Sequence, residues 1–134
     1  MSKKIAYRIN ARLETADIIA VFQASAINRP IHDAGRIARM FAASPLTVSA
    51  WDGDKLVGVA RALTDFSYCC YLSDIAVDLD YQRRGIGATL VAEIKTAIGP
   101  ECNIVLLSAP DALDYYPKLG FKKIDNGFVL VRSC

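Results

Sequence analysis

Gln82-Arg83-Arg84-Gly85-Ile86-Gly87-Ala88 joins an apolar, strand-like run, Leu72 to Val77, to a helix-like segment that ends near Ile98. Two glycines at such a junction let main-chain N–H groups approach an anion, and the first N–H groups of the following helix have no partner of their own. Arg83 and Arg84 add positive charge beside them. The stretch reads as a pyrophosphate cradle between a strand and a helix.

The common glycine-rich phosphate loops make different demands. A P-loop needs a Gly-Lys-Ser/Thr ending, which is absent, and a dinucleotide fingerprint needs Gly or Ala three positions after Gly87, where Leu90 stands. What remains is Gln/Arg-x-x-Gly-x-Gly/Ala after an apolar strand and an acidic, aromatic loop, Asp78, Asp80 and Tyr81. Downstream, Ala112-Leu113-Asp114-Tyr115-Tyr116-Pro117-Lys118-Leu119-Gly120-Phe121 forms an Ala-x-x-aromatic-Tyr-x-Lys-x-Gly-Phe run. In these two motifs, their order and their spacing, the chain resembles the GCN5-related N-acetyltransferase (GNAT) family. The resemblance covers Trp51 to Arg132 well and the first fifty residues by their arrangement.

Composition sets bounds beside it. A chain of 134 residues fits one domain, 1–134, able to bury about two thirds of its unfolded surface without disulfides or metals. Hydrophobic residues at 53% and charged residues at 22% exclude disorder, and a net charge of +2 is too small for a nucleic-acid surface. Cys69, Cys70, Cys102 and Cys134 form no Cys-x-x-Cys pair and His32 lies far from them, so no metal site is expected. Cys69 and Cys70 should point to opposite faces of one strand as free thiols. Met1-Ser2-Lys3-Lys4 lacks a signal peptide's apolar core, and no run reaches the ~18 to 20 residues of a membrane span, so a cytoplasmic protein without membrane partners is expected.

Along the chain, strands are expected at Ile5 to Ile9, Thr47 to Trp51, Lys55 to Leu63, Tyr68 to Val77, Asn103 to Leu107 and Phe128 to Arg132. Helices are expected at Glu14 to Ala26 with Thr15 as N-cap, Asp33 to Ala43, Gly85 to Ile98 and Pro110 to Leu119, the last closed by Gly120. Ile86, Leu90, Ile94 and Ile98 give the third helix one buried stripe, and Asp52-Gly53-Asp54 connects a hairpin. Asn103 to Leu107 reads as a strand covered on both faces. The expected class is α/β, an α+β mixed twisted sheet with helices on both faces. The order the resemblance implies, β-α-α-β-β-β-α-β-α-β-β, has one strand more than the six placed above.

The resemblance further implies an enzyme that transfers an acetyl group from acetyl-CoA to an amine by direct attack. Gln82, Arg83, Arg84, Gly85, Ile86, Gly87, Ala88 and Thr89 would hold the cofactor pyrophosphate. Ile75, Ala76 and Val77 would bind its pantetheine arm in a gap between two splayed parallel strands, as an added strand does. Ala112 and Tyr115 would contact the same arm. Ala109 stands where many relatives carry an asparagine, so one hydrogen bond to the arm, net ~1 kcal/mol, is missing.

Tyr116 takes the position of the family's tyrosine near the CoA sulfur, and a phenol of pKa about 10 suits protonation of a thiolate. Asp74 is a carboxylate in an apolar strand: either a base or amine anchor at the cleft, or a structural partner of an arginine such as Arg61. Asp65, which reads alternatively as a turn residue, His32 and Phe66 are candidates for the acceptor pocket, and Trp51 and Tyr68 are aromatic candidates whose stronger reading is core or cross-strand packing. The acceptor is expected to be a small primary amine, arylalkylamine-like. A peptide N-terminus or lysine, or a non-catalytic acyl-CoA sensor, is the alternative, and monomer and homodimer both stay open.

Overall fold

The computed structural model describes residues 4–134. Met1, Ser2 and Lys3, on which the reading of the N-terminus partly rests, lie outside the described residues. The elements are β1 (Ala6–Ile9), α1 (Thr15–Ser25), α2 (Ala34–Ala42), β2 (Leu46–Asp52), β3 (Lys55–Thr64), β4 (Cys69–Val77), α3 (Ile86–Ile98) and β5 (Asn103–Val105). They form one sheet in the order β1-β2-β3-β4-β5, antiparallel as far as β4, with β5 parallel to β4.

Each face of the sheet carries its own apolar layer. Ile86, Leu90, Ile94 and Ile98 are all buried, and they press α3 onto Val48, Val57, Ala60 and Leu72. This is the stripe that four-residue spacing requires. On the other face Ile18, Val21 and Phe22 of α1 and Ile37 of α2 pack against Trp51, Val59 and Ala76. α1 begins at Thr15 with Glu14 as its cap residue, one position earlier than expected, and Ala26 closes it in the left-handed conformation. Asp33 caps α2 by accepting from the Arg36 N–H at 3.0 Å. Asp52 pairs with Lys55, so the hairpin connection is the two residues Gly53 and Asp54 rather than three.

A bulge in β4 positions the site. Arg61 faces Asp74 and Ala62 faces Leu72, which leaves Ser73 as the extra residue. The bulge inverts the alternation of faces. Cys70 and Leu72 lie in the α3 layer, yet so do Ile75 and Val77, whereas Ala76 lies in the α1/α2 layer. Asp74, of the same parity as Ala76, is therefore aimed at the α1/α2 side.

The C-terminal third departs from expectation. β5 stops at Val105 and is not covered on both faces, since Val105 and Leu107 are exposed. Instead of one helix from Pro110 to Leu119 there are two 3-10 turns, Pro110–Ala112 and Tyr116–Leu119, with Gly120 left-handed at the end as expected. Residues 121–134 form no strand, and Phe128 and Leu130 are fully exposed. An apolar run becomes a strand only beside a ladder partner, and β5 offers three residues of edge. Among the described residues no helix is long and apolar enough to cross a membrane.

Candidate active site

The glycine loop opens α3 without a side-chain cap. The first helical bond runs from Thr89 N–H to the Gly85 carbonyl at 3.0 Å, so the N–H groups of Ile86, Gly87 and Ala88 precede the ladder. Gly85 holds φ 77° and Arg83 φ 64°, both left-handed, which folds the chain sharply into the helix. Gly87 serves differently, because it is helical and its missing side chain leaves room: a Cβ there would lie 2.6 Å from the Tyr115 hydroxyl oxygen. Arg84 lies over the Tyr81 ring at 5.0 Å, and the Tyr81 hydroxyl donates to Asp52 Oδ2 at 2.5 Å. The arginine is thus supported beside the uncapped helix start.

The β4 edge leads from this loop to a gap. β5 pairs with β4 only at Cys69, Cys70 and Tyr71. Beyond Tyr71 that edge of β4 has no strand against it. Asp78 N–H donates to the Val57 carbonyl at 2.9 Å, and antiparallel alternation then directs Ala76 and Asp74 toward β3 as well. Ile75 and Val77 face the open side, where the Gln82 side chain donates to the Val77 carbonyl at 3.1 Å. Of the three residues expected to bind an extended arm, Ala76 is corrected: its main-chain groups belong to the β3 ladder.

Tyr115, whose hydroxyl reaches Gly87, lies edge to face with Tyr116 at 5.3 Å, with Phe121 against Tyr116 at 5.7 Å. Burial raises the Tyr116 pKa, the neighbouring Tyr115 adds to this, and the Arg29 guanidinium opposes it. Burial likewise raises that of Tyr115. Both phenols keep their protons at neutral pH.

Asp74 has no exposed side-chain surface. Arg61 Nε donates to one carboxylate oxygen and Arg29 Nε to the other. Arg61 also reaches Ser73 Oγ at 2.8 Å and Ser44 Oγ at 3.2 Å, and Arg29 donates to the Ser73 carbonyl at 2.7 Å. Of the two roles expected for Asp74, the geometry matches the arginine pairing, with Arg29 as an unforeseen second partner. The carboxylate is fully buried between the two guanidinium groups. Beside this cluster lies a cleft of about 550 Å³, lined by Arg29, Arg36, Arg61, Tyr71, Ser73 and Leu107 among others.

Comparison with known proteins places this arrangement. A family model described as an acetyltransferase (GNAT) domain matches residues 14–130. The chain belongs to the GNAT acetyltransferase family. A relative from Arabidopsis thaliana, the chloroplastic GCN5-related N-acetyltransferase 2, is 35% identical over 75 residues, which are 54% of this chain and 29% of that protein. The chain thus spans under a third of that relative's length. A GNAT acetyltransferase structure from Streptococcus pneumoniae superposes with a TM-score of 0.80 at 21% identity, covering 97% of this chain and 99% of that one. An aminoglycoside N-acetyltransferase solved with CoA superposes at 0.75 with 15% identity, covering 100% and 98%. At these identities the likeness is one of fold.

Several residues expected in the GNAT acceptor pocket do not line the cleft. His32 is exposed on the loop between α1 and α2. Asp65 accepts three main-chain N–H bonds, from Ser67, Tyr68 and Cys69, which lower its pKa to about 2 and make it the organiser of the β3–β4 turn. Phe66, left-handed at φ 59°, is exposed in the same turn, as is Tyr68. Trp51 is core, its indole donating to Ser49 Oγ at 2.8 Å. Cys69 is exposed and Cys70 buried, as alternation requires, and burial drives the Cys70 thiol up to about 11, away from a reactive thiolate. Sequence reasoning missed Arg29, Arg36 and Arg132. Arg29 stands in Asn28-Arg29-Pro30, which signals only a helix break, and its partner is 45 residues away.

Proposed function

We propose that this chain is an acetyl-CoA-dependent N-acetyltransferase acting on a primary amine of a small molecule. The observation that carries the reading is the continuous path from the uncapped start of α3, along the Ile75 and Val77 edge of β4, to the cleft at Ser73. The residues present fit the donor. Ile86, Gly87, Ala88 and Arg84 would take the pyrophosphate, with Gln82, Arg83, Gly85 and Thr89 shaping the loop. Ile75 and Val77 would hold the pantetheine arm by main-chain bonds, and Ala112 and Tyr115 would close over it.

Acetyl-CoA supplies the acetyl group as a thioester. A neutral amine held in the cleft attacks the thioester carbonyl carbon, the C–N bond forms and the C–S bond breaks. The amine proton leaves to water, and Tyr116, kept protonated by burial, donates one to the departing sulfur. No covalent enzyme intermediate is needed. Asp74 acts as a positioning residue that fixes Arg29 and Arg61 at the cleft wall. A cleft of about 550 Å³ has room for a small acceptor.

Calorimetry with CoA, followed by thiol release from acetyl-CoA against panels of small amines and peptides, tests the proposal. CoA binding together with small-amine turnover is expected. Turnover confined to peptides would replace the acceptor class, and tight CoA binding without turnover would favour a sensor.

A further inference from the structure

Tyr81 ties together segments that lie far apart in sequence. Its ring packs against the apolar layer beneath α3, and its main-chain N–H donates to the Asp78 carbonyl at 2.8 Å. Its hydroxyl donates at 2.5 Å to Oδ2 of Asp52, the last residue of β2 and 29 positions away. The ring also attracts two cations: the Arg84 guanidinium lies 5.0 Å and Lys55 Nζ 5.2 Å from its centroid. Lys55, which pairs with Asp52 in the hairpin register, stands 3.6 Å from Asp78 Oδ2. The β2–β3 hairpin is thereby fastened to the turn that leads into the glycine loop.

The two cations are not equivalent. Lys55 has a carboxylate partner in Asp78, whereas no carboxylate pairs with Arg84 among the described residues. An exposed arginine samples many rotamers, and fixing it on an anion costs conformational entropy. An aromatic face within about 6 Å holds a guanidinium through the ring's own charge distribution and leaves its N–H groups free for hydrogen bonds. Asp52 strengthens that hold, because a phenol donating to a carboxylate has a more electron-rich ring, and the same bond fixes the direction of the ring. That bond, ahead of burial, raises the Tyr81 pKa, so the hydroxyl keeps the proton it donates. The position of the carboxylate matters as well. Paired directly with Arg84 it would compete with a phosphate for the same N–H groups, and at the far end of the ring it does not.

We propose that Asp52 and Tyr81 are positioning residues for the acyl donor, which together hold the Arg84 guanidinium beside the start of α3 so that it meets the CoA pyrophosphate already oriented. This rests on the donor site described under the proposed function, and it assigns the pair an action through Arg84 rather than a contact with the cofactor.

Calorimetry of CoA and of inorganic pyrophosphate on the full chain, arranged as double-mutant cycles, tests it. Tyr81→Phe keeps the ring and Asp52→Asn keeps the shape, and each is expected to weaken CoA binding about three- to tenfold, the effect of one hydrogen bond. In an Arg84→Ala background the same substitutions should change CoA affinity less than about twofold, since the group they position is gone. Thermal melting of the ligand-free variants reports folding, and either substitution alone completes a cycle with Arg84→Ala. Unchanged CoA affinity in the folded single variants, or a loss of the same factor with and without Arg84, overturns the inference. The cycle needs no turnover: CoA binding without acetyl transfer to any amine removes the acetyltransferase reading and leaves the cycle decisive. Pyrophosphate binding without CoA binding removes the donor reading, and the cycle is then decided with pyrophosphate. Binding of neither overturns both.

Discussion

Asp74 ties two arginines from distant parts of the chain to the β4 bulge, and a carboxylate in that position is destabilising to lose because it leaves Arg61 charged and nearly buried. Asp74→Asn is expected to lower unfolding stability by about 3 to 5 kcal/mol, the scale for breaking a buried ion pair from one side. Denaturant titration checks it. A variant as stable as wild type whose activity recovers only at high pH would return Asp74 to the role of base. Tyr116 is tested on the other side of the reaction: Tyr116→Phe should lower kcat by about 10² while KM for acetyl-CoA stays near its original value. Because burial raises the Tyr116 pKa, loss of the acid on the alkaline side should come at higher pH than for an ordinary phenol. An unchanged kcat with chemistry rate-limiting would leave Tyr116 as a packing residue.

Elements were legible where a local period or a local cap decided them. The α3 stripe, the glycine loop and the hairpin at Gly53 rest on neighbours within a few residues, and each stands where the sequence put it within one position. The β4 bulge was not legible, since an extra residue at Ser73 shows only against its partner β3, and it decides which side Asp74 faces. The strand expected at Phe128 to Arg132 had an apolar run suited to a strand but lacked a ladder. Asp65 was read as an acceptor candidate or a turn residue, and its local chemistry decides for the turn: its carboxylate collects three N–H groups. Its folded pKa of about 2 lies below the ordinary 3.8, so its contribution is fully present above pH 4 to 5 and is lost as pH falls toward 2. Asp65→Asn should therefore melt below wild type at pH 7, with the gap closing near pH 2. A gap of equal size at both pH values would show that charge is not what organises the turn.

At the scale of the whole molecule, the two motifs identified the family, and the cleft beside Asp74 escaped because its arginines come from positions 29, 36, 61 and 132, each unremarkable among its neighbours. The proposed donor site is different: it lies on one strand edge and one helix start, so binding there should stabilise the entire fold. A ligand at one hundred times its Kd adds about 2.7 kcal/mol, which for a domain of this size raises Tm by roughly 10 °C. Gly87→Val separates that binding from folding. Gly87 is helical, so a valine there meets no left-handed strain, only the Tyr115 hydroxyl, which sits at the end of a side chain able to turn aside. The variant is expected to fold with Tm within a few degrees of wild type and to show no CoA-induced rise, since the added methyl groups fill the space the pyrophosphate would enter. A full CoA-induced rise in the folded variant would mean that the anion does not sit on this loop, and the path from α3 along β4 would lose its starting point.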